Sequence, residues 1–229
     1  MTPIKKNNFF SIKFVTILFS LFIFSSLTKA QNRYFYQLGY GYVEGNSHST
    51  FVSPHSGQFG GNIQGYRADF GLGLSSEINK IKVDYIISYS PDAFNNQVDT
   101  KNSCPNAIWE CRVKIKDSLD VGAKFYLPLV YNDITPTVYF GVSNADIQKK
   151  VLYGSVGGNQ MEHQRNWGAA AGLGLNYEVN KNTAISLDYS WTAYEKNIEM
   201  DFIISNGVIE RSSSRPEIHS TSLKVKKYF

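Results

Sequence analysis

The side chains able to do chemistry in this chain of 229 residues share one pattern. Arg67, Asp69, Lys82, Asp84, Arg112, Lys114, Lys116, Asp120, Lys124, Asp188, Lys224 and Lys226 each stand on the polar parity of a run whose other parity is apolar. Bases and acids gathered on one face can line a path for ions, or they can neutralise one another as pairs inside a narrow space. Other chemistry is weakly supported. His219 precedes Ser220, Thr221 and Ser222, a base beside hydroxyls, but in an extended run His219 and Ser220 point to opposite faces and no acid is spaced to orient the imidazole. His48 and His55 lack a third ligand. No catalytic, metal or cofactor residue is therefore expected. Cys104 and Cys111, the two cysteines, bracket a short polar segment with no His nearby, and in an exported chain they read as a disulfide pinning a loop.

The runs that carry these charges read as β-strands. Trp167, Ala169, Ala171, Leu173, Leu175 and Tyr177 alternate with Gly168, Ala170, Gly172, Gly174 and Asn176. After a polar turn at 179–182, Ile185, Leu187, Tyr189 and Trp191 alternate with Ser186, Asp188, Ser190 and Thr192. A period of two on both sides of a turn is an antiparallel hairpin. One face is an apolar band with aromatics near its ends, and the other carries Gly, Ser, Asn and Asp, which suits lipid on the apolar side better than a second protein layer.

The beginning of the chain points to export. Lys5, Lys6 and Lys13 lead into a run of about eleven apolar residues, 14–24, short of the roughly 20 a spanning helix needs. Small residues at Thr28 and Ala30 then mark a signal-peptide cleavage site, so 1–30 is expected to be a leader and 31–229 one domain. Four of the 23 basic residues are lysines 5, 6, 13 and 29 of that leader, which leaves 19 against 19 acidic residues. The mature chain is formally neutral, so its charge gives no case for nucleic-acid binding.

Taken in order, alternating runs at 34–43, 65–74, 81–90, 112–125, 134–143, 167–177, 185–191 and 221–229 predict eight strands. Long segments at 44–62, 91–110, 144–164 and 195–216 alternate with short turns at 75–79, 127–133 and 179–182. The expected fold is all-β, an eight-stranded antiparallel up-and-down transmembrane barrel with both ends of the domain on one side. A soluble lipocalin-like barrel would use the same alternation with the apolar parity inward. Glycines and both signs of charge on the opposite parity favour the membrane form. Asp117 breaks the apolar parity of its run and is expected to mark the outer edge of the band, and Lys227 is near enough to the chain end to snorkel. The last connection has its own alternation, Ile198, Met200, Phe202 and Ile204 followed by Asn206-Gly207, and is expected to form a projecting hairpin that serves as an interaction surface.

From Tyr34 to Phe229 the chain resembles the small outer-membrane barrels: the OmpA transmembrane domain, OmpX, the opacity proteins and the porin-like surface antigens. The resemblance rests on the leader, the alternation, the aromatic girdles and the terminal Phe229 with Leu223 and Val225 before it. It departs at Lys227, third from the end, where the family usually carries an aromatic or apolar residue. It implies bacterial outer-membrane location, outer-membrane lipid as the surroundings, and reading of Leu223, Val225 and Phe229 by the insertion machinery. The function expected is a non-enzymatic, monomeric surface barrel whose four loops serve envelope integrity, adhesion or host interaction. The alternatives, in order, are a narrow porin-like channel and a lipid-modifying enzyme.

Overall fold

The structure is a computed structural model and describes residues 32–51, 57–91, 98–99, 109–129, 131, 133–153, 159–194, 198–203 and 209–229. The expected leader, His55, Cys104 and Ile204 lie outside the described residues. Every described element is a strand: β1 Arg33–Phe51, β2 Gly57–Ile78, β3 Ile81–Ser90, β4 Val98–Asp99, β5 Trp109–Tyr126, β6 Ile134–Tyr153, β7 Asn159–Asn180, β8 Thr183–Tyr194, β9 Ile198–Ile203 and β10 Ile209–Tyr228. Eight of them form one antiparallel wall in the order β2-β3-β5-β6-β7-β8-β10-β1, and β1 pairs back onto β2, so the wall closes. Leu38 of β1 faces Val225 on one side and Phe70 on the other. Closure removes the free edges that a lipid surround would leave unsatisfied.

In the half nearest the short turns, alternation sorts the side chains as a membrane barrel requires. Outward residues such as Leu38, Leu72, Leu173 and Leu223 are more than half exposed, while inward Gln37, Asp69, Asp84, Lys124 and Lys226 are 3 % exposed or less. Tyr34, Tyr131, Tyr177 and Phe229 ring the turn end, and Tyr42, Tyr66, Tyr89 and Trp191 ring the other. Tyr34 and Tyr42 are eight residues apart on β1, about 27 Å of strand, which a tilt of about 40° reduces to about 20 Å across the bilayer.

Beyond the second ring the parity inverts. Val43, Ile63, Ile115, Ala145, Ile147 and Ile218 continue the inward side and are 5 % exposed or less, while Glu44, Gln64, Asp117, Asn144, Asp146, His163, Arg165 and Glu217 occupy the outward side. Here the outside is water, so the apolar side must turn in. This corrects three of the expected loops. Much of 44–62, 144–164 and 195–216 is strand, because the alternation survives there with its polarity reversed. The turn expected at 75–79 is likewise shorter: β2 runs to Ile78, and Asn79 and Lys80 make the reversal at φ 50° and 67°.

β5 contains the one irregularity that changes a residue assignment. Its register against β6 shifts between Ile115 and Asp117. Ile115 faces Ile147 and Ser118 faces Ala145, all four buried, so the alternation changes sign across Lys116. Lys114, opposite Gln148, therefore stands on the outward parity, and Lys116 is the bulge residue itself. Neither shares the inward row of Asp120 and Lys124, where strict period-two counting put both.

Candidate functional site: the charged lumen

The inward side chains fill the barrel as a stack of pairs. At the turn end Phe35 meets Tyr228 edge-on, ring centroids 5.7 Å apart, with the Arg33 guanidinium 4.7 Å from the Tyr228 centroid. Lys82 reaches Glu178 at 2.6 Å and lies 4.6 Å from the centroid of Tyr126. The next pair is fully buried: Lys226 donates to Asp84 and, at 2.7 Å, to the Tyr126 hydroxyl, which itself donates to Asp84 at 2.6 Å. Lys226 also sits 4.5 Å from the centroid of Phe35, so its charge is shared between a carboxylate and an aromatic face.

Midway, Lys124 donates to both oxygens of Asp188 at 2.8 and 2.7 Å, and Ser186 adds a bond to the same carboxylate at 3.3 Å. Lys224 lies between Asp188 at 3.6 Å and Asp69 at 3.8 Å. Higher still, Arg67 donates to Asp120 at 2.8 Å, and the Tyr194 and Ser143 hydroxyls are 3.2 Å apart. Tyr139 spans the wall beside them: its ring lies over Gly122 and Gly141, which face one another across β5 and β6, and a Cβ on either glycine would run into the phenol. Among these groups remains a cavity of about 50 Å³ lined by Gln37, Arg67, Asp120, Lys124, Asp188 and Lys224. At about 10–15 Å³ per water it admits a handful of waters.

Of the side chains singled out in the sequence, the structure thus brings together Arg67, Asp69, Asp120, Lys124, Asp188 and Lys224, and separately Asp84 and Lys226 with Lys82 nearby. Tyr126, Tyr139 and Tyr194 complete these clusters and were not among the chosen residues. Parity could have found Tyr126, which continues the row Asp120, Gly122, Lys124. Arg112 lies in β5, and its side chain is outside the described residues, as are those of His48 in β1, Cys111 in β5, and Ile198, Met200 and Phe202 in β9.

Outside the barrel, the His219 ring nitrogen Nδ1 is 2.6 Å from the Tyr189 hydroxyl, while Ser220 is buried inward at 7 % exposure, so the two are on opposite sides of the wall. Asp117 accepts from Arg165 at 2.7 Å above the second aromatic ring. Leu223 and Val225 face outward, Lys227 reaches Thr183 at 3.2 Å, and the Phe229 amide donates to the Tyr34 carbonyl at 3.0 Å with the two rings stacked.

A closed antiparallel eight-stranded barrel, apolar and aromatic-edged outside and charge-paired inside, is the fold of the small outer-membrane barrels, and its outer band suits a lipid surround. Among solved structures it is similar to the outer membrane protein OprG from Pseudomonas aeruginosa, at 12% identity over 86% of this chain and 96% of that one with a TM-score of 0.50. It is also similar to Neisserial surface protein A, at 13% identity over 85% and 97% with a TM-score of 0.40, and to Ail, the attachment invasion locus protein of Yersinia pestis, at 13% over 85% and 98% with 0.39. No family model matches the chain, and no curated protein matches it.

Proposed function

We propose that the barrel is a non-enzymatic, non-conducting surface protein that binds through the part of its wall standing outside the membrane, in adhesion, host contact or envelope integrity. The observation that carries this is the length of strand beyond the second aromatic ring. β1 continues nine residues past Tyr42 to Phe51, about 30 Å of strand. β3 stops at Ser90 and β8 at Tyr194, so above them the wall divides into two sheets. One is β9-β10-β1-β2-β4, and the other is β5-β6-β7. Among the described residues, Trp109–Asp117 of β5 and Asn159–Trp167 of β7 have no strand partner on the side where β3 and β8 end. Such edges accept an extended segment by backbone pairing.

In this reading the long connections face the cell exterior and Gln31 and Phe229 the periplasm, with Leu223, Val225 and Phe229 as the row the insertion machinery reads. A bridge between Cys104 and Cys111 pins the second connection. β9, with Ile198, Met200 and Phe202, pairs through its register with β10, and together with Ile204 it supplies a principal contact. Separation of His219 from Ser220 supports a non-enzymatic role, and the pair-filled lumen supports the absence of steady conduction.

The test has two arms. Purified protein in a planar bilayer should give no stepwise current, whereas ion-selective steps altered at Asp120 would replace this reading with the channel. Cells carrying Phe202→Ser with Ile204→Ser should bind host surfaces more weakly while the barrel remains heat-resistant in detergent. Unchanged binding removes the β9 hairpin as the contact.

A further inference from the structure

The three connections at the turn end are chemically unalike. β2 and β3 reverse on Asn79-Lys80, and β7 and β8 on Lys181-Asn182, both polar. The β5–β6 connection instead carries Leu127, Pro128, Leu129 and Tyr131, and it leaves Leu129 67 % and Tyr131 77 % exposed. These side chains are held out by a built backbone. The Leu127 amide donates to the Pro136 carbonyl at 2.9 Å, Tyr131 and Ile134 exchange amide-to-carbonyl bonds at 3.0 and 2.9 Å, and Asp133 closes the turn at φ 65°.

Between this turn and the wall lies an open groove of about 510 Å³ lined by Pro128, Leu129, Tyr131, Ile134, Pro136 and Leu175. Pro136 and Leu175 are cross-strand partners on the lipid-facing parity, so the groove is continuous with the apolar band. Among the described residues its lining contains no charge, and the Tyr131 hydroxyl is the one polar side-chain group. A polypeptide entering it would leave backbone donors and acceptors unpaired, a cost an acyl chain does not incur.

We propose that the β5–β6 turn is seated in the membrane interface and that its groove holds an acyl chain of a phospholipid from the leaflet at the turn end, the periplasmic leaflet in the orientation above. Tyr131 then stands at headgroup level beside Tyr177, with its ring in the apolar zone and its hydroxyl in water. The turn acts as a wedge fixing the depth of β5 and β6, a task the two polar turns cannot share.

The test uses the whole protein in vesicles of phosphatidylcholine brominated near the carbonyl end of its chains. With Leu129→Trp, about half of the emission added over the parent protein should be lost to the lipid bromines, and aqueous acrylamide should quench it weakly, as for an interfacial apolar residue. With Lys181→Trp, on the neighbouring turn, the order should reverse. Efficient acrylamide quenching at 129 with no loss to lipid bromine would overturn the seating. For the groove, the phospholipid adducts seen by native mass spectrometry of the parent should fall several-fold in Leu129→Ser with Tyr131→Ser. Both residues are surface positions, and unaltered heat-modifiability confirms that the barrel is intact. An adduct population unchanged in that variant would overturn the acyl-chain site.

Discussion

Asp84 and Lys226 show what a single pair does in this barrel. They are 142 residues apart in sequence, and each is nearly inaccessible. Removing one partner leaves a buried charge with no counter-ion, which costs more than the pair contributes when intact. Asp84→Asn should therefore lower the unfolding free energy in vesicles by about 3 kcal/mol, and adding Lys226→Met should recover much of the loss. The double-mutant cycle from urea unfolding reads the coupling directly, and additive effects would mean that Lys226 is held by Tyr126 and Phe35 alone. The cysteines carry a second prediction at this scale. Their thiols should resist alkylation in the exported protein until a reductant is added, and Cys104→Ser with Cys111→Ser should leave the barrel's heat resistance unchanged. Free alkylation of both thiols without reductant removes the bridge.

At the scale of elements, the turns and the bulge carry the sequence's departures from regularity. Asn79-Lys80 has positive φ at both central positions, a geometry that Asn adopts more readily than Lys and glycine more readily than either, since a Cβ crowds the backbone there. Lys80→Gly should stabilise the folded barrel by about 0.5–1 kcal/mol, seen as a higher urea midpoint at unchanged slope. The bulge has a different character. Ile115 and Ser118 both face inward although three positions apart, so one residue between them must stand out of the ladder, and that residue is Lys116. Deleting Lys116 would leave Ile115 opposite Ile147 and Asp117 opposite Asp146 in unbroken alternation, so the upper part of β5 should keep its pairing with β6. Added protease on intact cells should then spare 109–117 as well as the segment from Leu119 to Phe125. Cleavage within 109–117 in the deletion variant alone would show that the bulge itself holds the register.

For the whole molecule, closure and orientation are the properties to measure. Tags at Gly57, Asn106, Gly158 and Asn206 should bind antibody on intact cells, and tags at Glu77 and Asn180 should bind only after the membrane is broken. Labelling of the second set on intact cells reverses the orientation.

The sequence by itself determined that strands close into an eight-stranded barrel, which parity faces lipid, and where the aromatic rings fall, because alternation is local and repeats at every second residue wherever one face meets hydrocarbon. The row Ile185, Leu187, Tyr189 and Trp191 was legible for that reason, as was the inward placement of Asp188. Tertiary structure alone decided which charge meets which: Lys124 meets Asp188 and Lys226 meets Asp84 because register and closure set the heights of strands far apart in the chain. It also decided that Ile63, Ile147 and Ile218 belong to the inside of continuous wall. Beyond the membrane the medium outside changes from lipid to water, so the same alternation reverses its polarity. A single bulge at Lys116 then resets the count, a step that no period-two reading of Lys114 and Lys116 could contain.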